Sequence, residues 1–166
     1  MATLKGGTVV NGDLTVDGDI YINGDTTGLM NKINSNYAKI KQMLGHPQTL
    51  STTHTLSGTI NASPTAYLIG NTLRTYFSVT LSSSFSGNAD NLSIGTVTCT
   101  HNGKIRAKTN SAFMDGPYGG QTCGWISADL TDTTIALTYE LTASGNSFTR
   151  ITTYAATPVA PNLDAF

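Results

Sequence analysis

The apolar positions along this chain change period twice, and each change opens a new element. Over residues 8–26 they recur in six-residue units: Val10-Asn11-Gly12-Asp13-Leu14-Thr15, Val16-Asp17-Gly18-Asp19-Ile20-Tyr21 and Ile22-Asn23-Gly24-Asp25-Thr26. Each Asn-Gly-Asp or Asp-Gly-Asp is turn chemistry, because Gly takes positive φ without steric cost and Asn or Asp bonds its own neighbouring backbone. The runs between the turns, Thr8-Val9-Val10, Leu14-Thr15-Val16 and Ile20-Tyr21-Ile22, have high β propensity. A unit this short buries no face of its own and must stack on copies of itself. With three units in the chain, the copies are expected in other chains. Residues 1–27 therefore read as a β-repeat assembly stem, with Val10, Val16 and Ile22 among its contacts.

From Thr26 or Thr27 the period becomes helical. Met30, Ile33, Tyr37, Ile40 and Leu44 are spaced three, four, three and four apart, an a/d heptad seam with Asn, Ser, Lys and Gln elsewhere. Thr26 or Thr27 serves as N-cap and Gly45-His46-Pro47 as stop, giving a helix within residues 28–46. An isolated helix of this length is marginal and needs a partner. A short oligomeric coiled coil explains it better than packing on its own domain, and Tyr37 at an a position favours a bundle wider than a dimer.

After Pro47 the pattern is β to the end. Candidate strands are Thr53–Ile60, Ala66–Ile69, Leu73–Leu81, Asn91–Thr100, Gly103–Thr109, Gly124–Asp129, Thr133–Leu141 and Ser147–Tyr154, parted by turn signals at residues 61–64, 70–71, 86–88, 101–103 and 144–146. Gly58 marks a bulge or an early end of the first. Asn102-Gly103 is a strong hairpin signal between its neighbours. Short antiparallel strands at this spacing predict a mainly β chain whose residues 47–166 form a sandwich or jelly-roll head.

Composition narrows the function classes. Charged residues are 11 % of 166 and the net charge is -1, so neither nucleic acid nor an anionic membrane is an expected partner. The start, Met-Ala-Thr-Leu-Lys-Gly-Gly, lacks the apolar core of a signal peptide, and no apolar run is long enough to span a bilayer, so synthesis in the cytoplasm is expected. Cys99 and Cys123 sit among β-type residues and are read as buried small hydrophobes, since two cysteines make no disulfide framework.

Catalytic chemistry is sparse. Asp13, Asp17, Asp19 and Asp25 match neither an EF-hand loop nor the nonapeptide calcium repeat and are read as turn residues. Glu140 is the only glutamate, and Asp90, Asp115, Asp129 and Asp132 flank turns, so a glycosidase carboxylate pair is the weaker reading. His46, His54 and His101 have no evident nucleophile partner, and Gly-x-Ser-x-Gly is absent. No enzyme, metal or cofactor is expected.

One stretch has the chemistry of a binding surface. Residues 112–121, Ala-Phe-Met-Asp-Gly-Pro-Tyr-Gly-Gly-Gln, read as the longest loop and run into Trp125, the only tryptophan. Exposed rings among glycines offer flat faces to a sugar, and Asp115 and Gln121 could bond its hydroxyls. The tentative ligand residues are Asp115, Tyr118, Gln121 and Trp125. For Trp125 the plainer reading, a core residue, is the preferred one.

The layout of Gly12-Asp13-Leu14-Thr15-Val16-Asp17-Gly18-Asp19, then a short coiled coil, then a β head resembles the trimeric tail-fibre, spike and head-fibre proteins of bacteriophages. In architecture the resemblance spans the chain; in recognisable motif it covers residues 8–26. It implies a homotrimer in the virion whose residues 1–27 form a stem of interwoven β strands and an attachment segment to other virion proteins, with a head that binds a host cell-surface saccharide. The alternative it allows is a capsid decoration or head-fibre protein with a structural role.

Overall fold

In the strand Thr134–Leu141 every second side chain is sealed: Ile135, Leu137, Tyr139 and Leu141 are buried, and Thr134, Ala136, Thr138 and Glu140 are part-exposed. A pleated strand sends successive side chains to opposite faces, so this alternation gives the strand one face for a core and one for solvent. The same rule builds the rest of the head. The computed structural model describes residues 15–18, 20–21, 27–86, 92–108, 111–115, 122–141 and 147–166, with backbone alone for 82–86, 92, 111–115, 122–123 and 147–151. The repeat positions Val10 and Ile22 lie outside the described residues. The chain divides into two compact units, Met1–Tyr37 and Ala38–Phe166.

The elements are a helix, α1 (Leu29–Met43), and strands β1 (Gln48–His54), β2 (Thr59–Ile69), β3 (Thr72–Ser86), β4 (Leu92–Thr100), β5 (Ile105–Lys108), β6 (Ser111–Asp115), β7 (Thr122–Leu130), β8 (Thr134–Leu141) and β9 (Ser147–Pro161). The protein is mainly β, and all described strand pairs are antiparallel. The order β1-β2-β3-β9-β6-β7-β8-β4 returns to β1, so the sheet is nearly closed on itself. Closure removes the exposed strand edges that would otherwise recruit other chains. Its thinnest join is β6–β9, paired at Met114↔Ala155, and β5 hangs on the last residues of β9.

The interior holds Leu68, Leu73, Phe77, Val79, Val97, Ile126, Ile135, Leu137, Tyr139 and Leu141, all essentially inaccessible to solvent. Each such aliphatic or aromatic side chain contributes about 1.5–3 kcal/mol on burial. Phe77 and Tyr139 meet edge-to-face with ring centroids 4.8 Å apart. The Tyr139 hydroxyl shares a 2.7 Å hydrogen bond with Thr75 Oγ1, which satisfies the polar end of a buried ring.

Several boundaries differ from the sequence reading. The expected strand Thr53–Ile60 is broken: β1 ends at His54 and β2 starts at Thr59. Residues 55–57 still follow β4, with Thr55 N–H donating to Thr96 O at 2.9 Å and Ser57 N–H to Ile94 O at 2.9 Å. They pass so close to Gly95 (φ +117°) that a Cβ there would stand 2.5 Å from Thr55 O, which only glycine permits. Residues 61–64, expected as a turn, run inside β2 and are absorbed by register shifts around Ala62. Bulges let a strand bend without ending, which local turn propensity does not reveal.

Asn102 (φ 49°) and Gly103 (φ 80°) do make the expected tight turn, with Lys104 N–H donating to His101 O at 3.0 Å. The hairpin it was expected to close is absent, because β4 pairs with β1 and β8 while β5 pairs with β9. The buried His101 ring diverts the chain: its Nδ1 accepts from Ile105 N–H at 3.2 Å, so Nε2 carries the proton and donates to Thr131 O at 3.1 Å. Part of the expected loop 112–121 is strand β6, and β9 continues past Tyr154 to Pro161.

The helix begins one position later than a Thr27 cap and two later than a Thr26 cap would place it. Gly28 O accepts the first helical bond, from Lys32 N–H at 3.1 Å. It stops at Gly45 as expected, with Gly45 N–H donating to Gln42 O and His46 N–H to Lys41 O, each at 3.0 Å.

Candidate functional site

Two features of the molecule leave apolar surface in water. The first is the seam of α1: Met30, Ile33, Tyr37, Ile40 and Leu44 are 57, 52, 59, 52 and 72 % exposed. The fully buried residue of the helix is a polar one, Gln42, whose Nε2 donates to Gly70 O at 2.7 Å in the turn between β2 and β3. In heptad terms Gln42 sits opposite the a/d seam. Val16, the described member of the repeat contacts, is 43 % exposed.

The second is a groove on the outer face of the head, where β2, β3 and β9 run side by side. Their register sets Tyr67, Arg74 and Ala156 in one cross-strand row and Thr65, Tyr76 and Tyr154 in the next. Directly opposed side chains in such rows lie about 4.5–5.5 Å apart at Cβ. The Tyr76 and Tyr154 rings pack at 4.8 Å between centroids with a 38° tilt. Tyr67 and Tyr154 are 38 and 64 % exposed. Around these rings, Arg74, Ala156 and the strand backbone at Thr75 and Ala155 border a depression of ≈ 550 Å³. That volume lies within the range of small-molecule sites. Two positions further along the same strands stand the small hydroxyls of Ser78, which is buried, and Thr152, and they hydrogen-bond each other at 3.1 Å.

The residues anticipated for ligand binding are only partly described. Tyr118 and Gln121 lie outside the described residues. Asp115 ends β6, its backbone paired with Thr122. Trp125 is not in the core: it stands on the outer face of β7, 42 % exposed, between the backbones of Phe113 and Glu140. The Met114↔Ala155 pair sets β6 beside the strand that bears Tyr154. The groove itself escapes sequence reasoning, because β3 and β9 are far apart in the chain. The available signal was the pair Tyr76-Phe77 inside an alternating strand, where one ring must face outward.

Buried chemistry is structural. Cys99 is a free, fully buried thiol pushed up to about 12 by burial, so it stays protonated and packs as a small apolar residue. Cys123's side chain lies outside the described residues. Burial likewise holds the Tyr139 phenol above its ordinary range, against the lowering pull of Thr75. Among the described residues no group of three His, Cys, Asp or Glu could hold a metal ion, and no helix is long and apolar enough to cross a membrane. No protein-family model, curated protein or solved structure matches the chain.

Proposed function

We propose that the chain is a bacteriophage virion protein: a homotrimeric fibre or spike with an interwoven β-repeat stem, a coiled-coil helix and a sandwich-like, jelly-roll head that binds a host cell-surface saccharide. The observation that carries this reading is the helix. It exposes every a and d residue while holding its opposite face to the β2–β3 turn through Gln42. A helix of 15 residues, about 22 Å long, does not hold such a face in water by its own propensity. Parallel copies of the chain bury that seam without disturbing the Gln42–Gly70 bond. The stem then serves attachment to other virion proteins, and the aromatic outer face of the head supports adhesion rather than catalysis.

The first test is mass in solution. The full chain is expected at three times its monomer mass at micromolar concentration, and the double substitution Ile33→Asp, Ile40→Asp is expected to give a folded monomer. A monomeric wild type would overturn the assembly. The second test is saturable binding of the labelled chain to host cell walls; binding to bare capsids without cell binding would instead favour a capsid decoration or head-fibre role.

A further inference from the structure

We propose that the groove between β2, β3 and β9 is a binding site for an anionic saccharide, with a sugar ring laid on Tyr76 and Tyr154 and its carboxylate or phosphate held by Arg74. This rests on the adhesion reading and deepens it by naming the contact residues and the charge of the ligand.

Three observations converge. Tyr76 and Tyr154 brace each other, so their faces are presented at little further cost in side-chain freedom. A flat, electron-rich ring matches the C–H face of a pyranose, and phenolic hydroxyls at the rim suit its polar edge. Ala156 stands directly opposite Arg74 and is too short to cover it, which leaves the guanidinium facing the depression. Among the described residues no carboxylate pairs with Arg74. A neutral sugar would use the rings but give the guanidinium no partner. A carboxylate or phosphate accepts two parallel N–H bonds from it. The chain is not generally basic, with 9 Lys and Arg against 10 Asp and Glu in 166 residues, so this cation marks a place rather than a field.

The test uses the full-length chain and three immobilised probes: oligogalacturonate, poly(glycerol phosphate) and neutral galacto-oligosaccharide. Retention of one or both anionic probes, weakened at least tenfold by Arg74→Gln and by Tyr154→Ala but not by the control Arg106→Gln, is the expected result. The oligogalacturonate and glycerol phosphate arms separate a uronate from a phosphate ligand. Retention should also fall steeply between low and 0.5 M salt, since the screening length shrinks from about 30 Å at 0.01 M to about 4 Å at 0.5 M. Equal retention by wild type and Arg74→Gln, or retention of the neutral probe alone, overturns the proposal. So does a fall in oligomer mass on Tyr154→Ala, which would make the groove an interface between copies of the chain. Cell-wall binding kept intact in Arg74→Gln and Tyr154→Ala sinks this site while leaving adhesion standing. A wild type that binds no cell wall but retains an anionic probe through Arg74 sinks adhesion while leaving the site.

Discussion

Strand β8 and helix α1 are amphipathic in the same sense, yet their apolar residues meet opposite fates. In β8 all four apolar positions of one face, Ile135 to Leu141, are sealed by neighbouring strands of the same chain. In α1 the a and d positions remain open, and the residue that is sealed is Gln42. The nearly closed sheet satisfies itself, because each strand except β5 has a partner on both sides. The a and d side chains of the helix are more than half exposed among the described residues. Amphipathicity therefore says that a face will be buried, and the supply of neighbours decides whether one chain suffices.

The comparison breaks most readily in the sheet. Phe77→Ala removes a fully buried ring from contact with Tyr139 and is expected to cost about 3–5 kcal/mol, read as a lowered midpoint in urea unfolding. Because the change is confined to the closed core, the oligomer mass of the remaining folded protein should not change. A loss below about 1 kcal/mol would mean the interior is looser than the edge-to-face packing indicates.

Alkali probes the same interior. The Cys99 thiol and the Tyr139 phenol are both raised by burial, so each keeps its proton in the folded state after the unfolded chain has lost it. Their contribution is intact below pH 9, the thiol's ordinary value, and is lost as pH rises toward 12. Unfolding free energy should fall by about 3 kcal/mol between pH 8 and 10.5, at up to about 1.4 kcal/mol per pH unit for each group. In Cys99→Ala the decline should be shallower and begin nearer the tyrosine's ordinary value. An unchanged slope would show that the thiol ionises equally well in both states.

At the helix, Gln42→Ala deletes the 2.7 Å bond to Gly70 and should cost about 1 kcal/mol. The seam is untouched, so the proposed assembly should persist with a more mobile helix end, visible as faster amide exchange at residues 70–72. The smallest effect on the head is expected from Ile33→Asp, Ile40→Asp. Both side chains are already half exposed, so the unfolding free energy of the head should change by less than about 0.5 kcal/mol. A large loss would place part of the seam against its own head instead. The Lys39–Asp164 pair at 3.6 Å involves a nearly fully exposed carboxylate and contributes little to either region.

By itself the sequence determined what depends on local period and turn chemistry. The 3-4-3-4 spacing gave the helix and its seam, Gly45 its end, and the two-residue alternation the strand that buries Ile135 to Leu141. Positive φ at Asn102 and Gly103 was legible too, because few residues tolerate it. Tertiary structure decided what depends on partners distant in the chain. Which strands pair, and so the absence of a β4–β5 hairpin, follows from closure of the sheet and from the His101 ring taking up the Ile105 N–H. The strand carried through residues 61–64 relies on β3 to register its bulges. The groove exists because β3 and β9 pair over eleven positions, which aligns Tyr76 with Tyr154 and Arg74 with Ala156. Periodicity tells each residue which face it takes; only pairing tells it whose face it meets.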